Sequence, residues 1–291
     1  MEFTFSEIIF ENKKRNSDEY SDIVKEIKRD ILKSLALAKS GHPGGAIGIA
    51  EIMAVLYFGG IMKYDPKNPD SLTRDRFILS AGHYAPVFYS CLARSGYFPI
   101  SELATLRKLG SRLQGHPINV GILPGNETTS GSLGQGISIA LGMAINDKII
   151  DKNERKVFCL TGDGELQEGS CWEVAMAAGT YKLDNFCWIV DNNDCQIDGR
   201  VKDVMSIYPL ADKFKAFNFD VIEIDGNDIS QVISALETFN NMHKSKTGKP
   251  ICIIAKTIMG NGISFMHDKY EWHGVPPTVE QAKIALQELK P

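Results

Sequence analysis

The chain has 291 residues, of which 43% are hydrophobic and 23% are charged, a composition typical of a folded globular protein. Its net charge of −4 and isoelectric point near 5.9 exclude the strongly basic surface that attracts nucleic acid or an anionic membrane. No apolar run approaches the roughly 20 residues that would span a bilayer. Neither nucleic acid nor a membrane is therefore an expected partner.

The N-terminus and the cysteines indicate a cellular compartment. The first 20 residues carry acidic side chains throughout and no apolar core before a cleavage site, unlike a signal peptide. The six cysteines follow no CxxC spacing, and several lie inside apolar runs. We therefore expect reduced thiols and a cytoplasmic protein.

The predicted elements alternate between helix and strand along the chain. Residues 1–19 form a polar extension, and residues 20–291 are expected to form a single domain because no repeat or long linker divides them. Apolar residues at helical spacing predict a helix over 20–38. Short apolar runs predict strands at 76–80, 156–160, 186–191, 220–225 and 251–256, with helices at 131–150, 169–182 and 227–242 and a last helix capped by Thr278. This order predicts an α/β fold with a doubly wound, mostly parallel sheet.

Polar side chains follow two of the predicted strands. The stretch LTGDGELQEGS places Asp163 between two glycines after one strand, and VDNNDCQIDG places Asn193 after the next. If the two strands are neighbours, these side chains meet where open parallel sheets bind ligands. Carboxylate, amide and carbonyl oxygens suit Mg²⁺ or Ca²⁺, and Mg²⁺ often takes further oxygens from phosphates. The pair therefore predicts a diphosphate held through a metal, although a Gly-Asp-Gly alone is commonly only a turn.

Four of the six histidines adjoin a glycine, and this arrangement indicates a shared site. These four are His42, His83, His116 and His273. Imidazole can move protons near neutral pH and can donate to phosphate oxygens. The spacing is not that of a zinc site. A single histidine is more often a surface or core residue, and we assign no function to His243 or His267.

The segment GDGELQEGSCWEVAMAAGTYKLDNFCWIVDNNDCQIDG closely resembles the thiamine-diphosphate motif of transketolases. The resemblance implies that Asp163, Asn193 and the backbone carbonyl of Cys195 bind Mg²⁺, for which Ca²⁺ or Mn²⁺ could substitute. The family usually has a larger apolar residue at Cys195, and a tyrosine or similar residue where this chain has Asn192. A backbone ligand tolerates the first difference, and the second leaves the metal set intact.

The same resemblance implies roles for the histidines and for the segment TSGSLGQGISIALGMA. His42 and His116 should face the donor ketose and take part in proton transfers, whereas His83 and His273 should lie against the diphosphate and the reacting end of the thiazolium ring. The predicted catalytic residues are thus His42, His116 and His273. The predicted cofactor-binding residues are His83, Gly131, Ser132, Leu133, Gly162, Asp163, Gly164, Glu165, Asn193 and His273. From the residues alone, the glycine-rich segment could equally be a closely packed helix.

The resemblance extends from about residue 20 to 290 and covers less than half of a usual transketolase. The domain that supplies the glutamate for the aminopyrimidine ring is missing, and neither Glu168 nor Glu173 is assigned that role. The chain therefore resembles the diphosphate-binding subunit of a split transketolase that transfers a two-carbon ketol unit between sugar phosphates. We expect a separate pyrimidine-binding partner and an α2β2 heterotetramer. The alternatives are a related thiamine-diphosphate enzyme with another donor, similar to deoxyxylulose-phosphate synthase, or a non-catalytic regulatory module that binds the cofactor.

Overall fold

The computed structural model describes residues 3–119 and 121–290 and contains one five-stranded sheet. The strands are β1 (Arg76–Leu79), β2 (Val157–Gly162), β3 (Phe186–Asn192), β4 (Cys195–Gln196), β5 (Gly199–Arg200), β6 (Asp220–Asp225) and β7 (Ile251–Lys256). The main sheet has the order β1-β2-β3-β7-β6, and all of its neighbouring strands are parallel. Strands β4 and β5 form a separate antiparallel pair.

Helices cover both faces of the main sheet. They are α1 (Ser21–Ala38), α2 (Pro43–Gly48), α3 (Ala50–Phe58), α4 (Ala85–Arg94), α5 (Gln135–Ile145), α6 (Gly169–Thr180), α7 (Val201–Val204), α8 (Leu210–Ala216), α9 (Ile229–Ser245) and α10 (Val279–Glu288). Phe158 and Leu160 of β2 pack with the side that carries α1, α3, α4 and α9. Val157 and Cys159, which point the opposite way, pack with α5, α6 and α8. Burial on both faces explains why the strands are continuous apolar runs, and it confirms the predicted doubly wound α/β fold.

All five predicted strands are present, with bounds that differ from the prediction by at most two residues. Thr278 caps α10, and its side chain and that of Gln281 form the predicted capping box. The helix predicted from residue 131 begins at Gln135 instead. Gly131 has φ 144° and Gly134 has φ 80°, so this segment forms a turn before the helix starts.

The N-terminal segment lies against the domain although it has no regular secondary structure before Ser17. Phe3 and Phe5 are buried, and the side chain of Arg94 donates to the backbone carbonyl of Ile8 at 2.9 Å. The division into an extension at 1–19 and a domain at 20–291 stays a prediction, and residues 1, 2, 120 and 291 lie outside the described part. No helix in the described part is long and apolar enough to cross a membrane.

A buried ion pair anchors the loop that follows β7. The Lys28 ammonium lies 2.7 Å from a carboxylate oxygen of Glu51, and both side chains are buried. The same ammonium donates to the backbone carbonyl of Asn261 at 3.0 Å. Removing one partner of a buried pair leaves an uncompensated charge, which makes the arrangement costly to disrupt. The pair thus ties α1 and α3 to the loop that carries His273 to the carboxyl ends of the strands.

Candidate active site

Asp163 and Asn193 converge at the ends of two neighbouring strands. Strands β2 and β3 pair in parallel, with Gly162 opposite Asp191. The Asp163 carboxylate follows β2 and accepts hydrogen bonds from the backbone N–H groups of Gly164, at 2.8 Å, and Asp194, at 2.6 Å. The two strand ends predicted to approach each other are therefore in direct contact.

A buried hydrogen-bond network fixes the orientation of the Asn193 amide. Its nitrogen donates to the Asp191 carboxylate at 2.6 Å and to the Tyr84 hydroxyl oxygen at 3.1 Å. Its oxygen accepts from the backbone N–H of Cys195 at 2.8 Å. The Tyr84 hydroxyl donates in turn to Asp191 at 2.7 Å, and the Thr257 hydroxyl donates to the same carboxylate. Because an amide oxygen has two lone pairs, that of Asn193 keeps one for a further partner.

Sequence reasoning missed Tyr84 and Asp191, although both hold Asn193 in place. Burial raises the pKa of Asp191 to about 6, while the hydrogen bonds from Thr257, Tyr84 and Asn193 oppose the increase. The available signal was a single carboxylate ending the apolar run FCWIVD. A buried acid at such a position needs donors, but the sequence does not identify Tyr84 as one of them.

The chemistry around Asp163 fits a bound cation. The side chain is buried, and burial followed by the charge of Asp191 raises its pKa well above the ordinary value, against the effect of its two backbone donors. A divalent cation beside the carboxylate would remove this penalty. Within the described residues, no three His, Cys, Asp or Glu side chains are arranged to hold a metal. The predicted set has only one such ligand, Asp163, so most of its oxygens would come from an amide, a carbonyl and a phosphate-bearing ligand.

The four glycine-bordered histidines lie together. Ring centroids are 5.3 Å apart for His42 and His83, 6.1 Å for His42 and His116, 5.8 Å for His42 and His273, and 5.1 Å for His83 and His273. All four line a cavity of about 330 Å³ together with Asp163. The other two histidines line different cavities: His243 lies beside Glu154, and His267 is exposed after β7.

The cluster favours neutral imidazoles. Burial, followed by the charges of His273, Arg107 and His116, lowers the pKa of His42 to about 4. Burial also lowers the pKa of His83, of His116 and of His273. Among the described residues of the cluster, three buried ring nitrogens have no hydrogen-bond partner: Nδ1 of His42, Nε2 of His83 and Nδ1 of His273. The rings that carry these nitrogens all line the cavity.

The glycine-rich turn forms another wall of the cavity. Gly131 and Leu133 line it, and the backbone of Gly131 packs against the ring of His116. The buried Glu165 carboxylate accepts from the backbone N–H of Gly134 at 2.9 Å and from the Ser80 hydroxyl. Burial raises the pKa of Glu165 to about 7, although hydrogen bonds from Ser80, Gly134 and Gly162 oppose this. Glu165 thus holds the turn against the strand ends, whereas Ser132 is not among the lining residues.

Packing within the chain does not require glycine on either side of Asp163. A Cβ atom at Gly162 would lie 3.7 Å from the nearest other atom, the Tyr84 hydroxyl, and one at Gly164 would lie 3.6 Å from Gln196. Both glycines line the cavity. A methyl group at either position would therefore take up space that a ligand could use, which fits a group bound closely against this backbone.

The comparison with known proteins identifies the family. A family model described as "Transketolase, thiamine diphosphate binding domain" matches residues 20–289. The chain belongs to the transketolase family. This family of thiamine-diphosphate-dependent transferases includes single-chain enzymes and enzymes made of separate subunits. The predicted resemblance is therefore confirmed.

Relatives of two sizes match this transketolase-family chain. An apulose-4-phosphate transketolase subunit of Actinobacillus succinogenes is 41% identical over 94% of this chain and 96% of its own length. The "6-deoxy-6-sulfo-D-fructose transketolase subunit SqwG" of Clostridium sp. is 40% identical over 91% of this chain and 94% of its own length. Human transketolase is 38% identical over 92% of this chain but only 41% of its own length.

Solved transketolase structures share the fold. The crystal structure of transketolase from Campylobacter jejuni matches 93% of this chain with a TM-score of 0.83 and 33% sequence identity. The matched part makes up 43% of that transketolase. The chain thus spans about two fifths of the single-chain enzymes and nearly all of the two subunits.

Proposed function

We propose that this chain is the diphosphate-binding subunit of a split transketolase, which transfers a two-carbon ketol unit from a ketose phosphate to an aldose phosphate with thiamine diphosphate and Mg²⁺. The observation that carries the proposal is the position of Asp163 and Asn193. The hydrogen bond from the Asp194 backbone N–H to Asp163 joins the two loops that carry these residues at adjacent strand ends. Asp163 lines the same cavity as the four histidines, whereas Asn193 lines another cavity. A metal-held diphosphate and a set of proton-transfer groups would then occupy one site.

The proposed metal ligands are the carboxylate of Asp163, the amide oxygen of Asn193 and the carbonyl of Cys195. The proposed residues around the diphosphate share a position at the cavity wall or in the turn beside it: His83, Gly131, Ser132, Leu133, Gly162, Gly164, Glu165 and His273. When bound, thiamine diphosphate supplies an electron sink for the carbanion that ketol transfer requires. The negative charge of Asp163 would balance the cation, and the backbone without Cβ atoms would admit the diphosphate closely.

The histidines would move protons for the sugar substrates. Their lowered pKa values keep the imidazoles neutral near pH 7, and a neutral imidazole can donate through one nitrogen and accept through the other. We assign His42 and His116 to the hydroxyl and carbonyl oxygens of the ketose. His273, whose Nδ1 is buried without a partner in the described chain, is assigned to the reacting centre.

A separate pyrimidine-binding chain is the proposed partner, in an α2β2 assembly. The match to nearly the whole of two transketolase subunits, but to two fifths of human transketolase, supports this proposal. Ile197, which lines the cavity, is 65% exposed, and a partner that covers the mouth of the cavity would bury it. The six free, buried thiols are compatible with the proposed cytoplasmic location.

The identity of the donor sugar is not determined by the cavity residues, and the names of the relatives indicate which donors to test. One acts on apulose 4-phosphate and the other on 6-deoxy-6-sulfo-D-fructose, so donors differ among subunits of this size. A split transketolase with a donor other than xylulose 5-phosphate is therefore the second candidate. It needs the same cavity and the same partner, and it differs only in the sugar consumed.

The test is product analysis of the assembled enzyme with a panel of donors. Ketol transfer from xylulose 5-phosphate to ribose 5-phosphate must yield a three-carbon aldose phosphate and a seven-carbon ketose phosphate, with no carbon dioxide released, and each other donor must leave a product shorter by two carbons. Xylulose 5-phosphate, apulose 4-phosphate and 6-deoxy-6-sulfofructose are offered with ribose 5-phosphate as acceptor. Release of carbon dioxide from pyruvate with glyceraldehyde 3-phosphate would instead identify a deoxyxylulose-phosphate-synthase activity. No conversion of any donor by the complete complex would contradict the enzymatic proposal.

A further inference from the structure

The guanidinium of Arg107 occupies a gap between two glycines that immediately precede histidines of the cluster. A Cβ atom on Gly115, the residue before His116, would lie 2.6 Å from Cζ of Arg107. A Cβ atom on Gly41, the residue before His42, would lie 3.3 Å from its Nε. The absence of a side chain at Gly115 makes room for the arginine, whereas a Cβ atom at Gly41 would meet Leu35 at 2.5 Å as well as the guanidinium.

Hydrogen bonds from the same side chain reach both segments. Nη1 of Arg107 donates to the Ser40 hydroxyl at 3.1 Å, and Nη2 donates to the backbone carbonyl of Gly115 at 3.3 Å. The backbone N–H of Arg107 also donates to the carbonyl of Leu113 at 2.8 Å. The residue adopts φ 59°, which is uncommon for a side chain of this size. The chain therefore turns back at residue 107 and places the guanidinium between two loops that are about 70 residues apart in sequence.

The Arg107 charge lies beside both imidazoles. Within residues 3–119 and 121–290, Arg107 forms no ion pair with a carboxylate, and its side chain is about half buried. Its charge lowers the pKa of His42, after the larger effects of burial and His273. Its charge also lowers the pKa of His116, where burial is the larger cause. An arginine without an acidic partner near two titratable rings needs an explanation other than ion pairing.

We propose that Arg107 is a positioning residue, whose guanidinium joins the loops of His42 and His116 so that both imidazoles face the cavity. Its importance for catalysis rests on the proposed function, but the link between the loops does not. Arg107 is not among the lining residues, so it acts through the two histidines rather than on a substrate. A planar guanidinium suits this link because its fixed fork of N–H donors reaches both segments at once.

Other charged groups also face these rings. His42 meets the rings of His83, His116 and His273. His116 meets His42, and Glu168 and Asp198 line the same cavity. Substitution of Arg107 removes none of these groups. A change in both histidine titrations would therefore report on Arg107 itself.

The test uses the full chain, without substrate or partner, and four variants. Histidine side-chain NMR between pH 3 and 8 gives the titration midpoints, and hydrogen exchange followed by mass spectrometry gives backbone protection in 39–43 and 113–117. Arg107→Met should raise the midpoints of both His42 and His116, because it removes a nearby positive charge. It should also speed exchange in both segments. Arg107→Lys should keep the midpoints near those of the wild type and still speed exchange, since the ammonium keeps the charge without the planar fork.

Gly115→Ala separates the effect of the guanidinium's position from the effect of its charge. It keeps the arginine but displaces the guanidinium, so exchange should quicken at 39–43 as well as in its own segment. Arg112→Met is the control, because Arg112 lies on the same loop but pairs with Glu102. It should change neither the midpoints nor the exchange.

Two results would overturn the proposal. One is an Arg107→Met chain with wild-type midpoints and exchange, and the other is a Gly115→Ala effect confined to 113–117. If Arg107→Met does not fold, as judged by circular dichroism, the proposal is tested by the exchange rates of Gly115→Ala and Arg107→Lys instead. None of these measurements needs thiamine diphosphate, a sugar or a second chain, so failure here is distinct from failure of the proposed transketolase function.

Discussion

Asp163 accepts a 2.6 Å hydrogen bond from the backbone N–H of Asp194, although the two residues follow different strands. This contact joins the loop after β2 to the loop after β3 and brings the Asp163 carboxylate to the loop that carries Asn193. The carboxylate is buried without a cationic partner among the described residues, and its raised pKa reflects that burial first. A bound divalent cation would offset the free-energy cost of burying this negative charge.

The first prediction concerns this carboxylate. Asp163→Ala should weaken binding of thiamine diphosphate in the assembled enzyme at least ~10-fold, about 1.4 kcal/mol, because it removes the charged ligand of the proposed cation. Calorimetric titration with and without Mg²⁺ measures the effect, which should disappear when Mg²⁺ is removed by chelation. Asp203→Asn, an exposed change on α7, is the control. Equal dissociation constants for wild type and Asp163→Ala would show that the metal assignment is wrong.

A pair of glycine substitutions tests the network that holds Asn193. A Cβ atom at Gly45 would lie 2.0 Å from the Tyr84 ring and 2.6 Å from its hydroxyl, which bonds to Asp191 and Asn193. Gly45→Ala should therefore lower the free energy of unfolding by about 1–3 kcal/mol through overpacking. It should also weaken cofactor binding.

The second substitution of the pair, Gly142→Ala on α5, is the control, because a Cβ atom at this position would meet open space. An exposed helical glycine replaced by alanine should stabilise the chain by up to about 1 kcal/mol. Urea denaturation measures both variants. If Gly45→Ala is as stable as Gly142→Ala, the packing of Tyr84 against α2 is not as tight as described.

How much of this site could be predicted from the sequence depends on the kind of contact. Asp163 and Asn193 follow apolar runs, and the ends of parallel strands lie at one edge of a sheet, so their approach was predictable. Tyr84 and Asp191 were not predictable, because their contact joins residues 107 positions apart and Asp191 lies in a run that is otherwise apolar. The Arg107 contacts with Gly41 and Gly115 depend on tertiary packing in the same way.

Some elements of the fold could likewise be predicted from the sequence, and others could not. The strands were predictable because burial on both faces leaves a continuous apolar run. Helix α2 was not, because its sequence PGGAIG has poor helix propensity. Its glycines allow contacts that side chains would block, such as that of Gly45 with the Tyr84 ring. Tertiary packing therefore determines this helix, and propensity alone could not reveal it.

Two histidines six residues apart provide a matched test of catalysis. His273→Ala should lower kcat of the assembled enzyme about 10²-fold, because a group that transfers protons at the reacting centre acts mainly in the transition state. His267→Ala should have little effect, because His267 is exposed and lies outside the histidine cluster. Steady-state kinetics with saturating cofactor measures both variants. Equal losses in the two would place the reacting centre elsewhere.

The histidine cluster also predicts a pH dependence of stability. Burial and neighbouring charges lower the pKa of folded His42 to about 4, below its ordinary value of 6.5. The unfolded chain therefore binds a proton more readily, and the free energy of unfolding should fall as pH falls from 6.5 toward 4.

Comparison with a variant isolates the contribution of His42 from that of the buried acids, whose effect has the opposite sign. Between pH 7 and pH 5, the wild type should lose on the order of 1 kcal/mol more stability than His42→Asn, after allowance for partial solvent screening. Urea denaturation at the two pH values measures the difference, with His267→Asn expected to behave as the wild type. Parallel pH curves for wild type and His42→Asn would contradict a neutral, buried imidazole.

The central claim is that this chain holds one half of an active site. The most direct test is the rate of ketol transfer from xylulose 5-phosphate to ribose 5-phosphate by the purified chain alone, with thiamine diphosphate and Mg²⁺, before and after a pyrimidine-binding chain is added. Mass spectrometry verifies that no host partner is present. We predict background rates for the chain alone, because a cofactor held at one end lacks the orientation that lowers the barrier, and turnover by a complex with two copies of each chain. Robust turnover by the chain alone would contradict the proposed division of the site between two polypeptides.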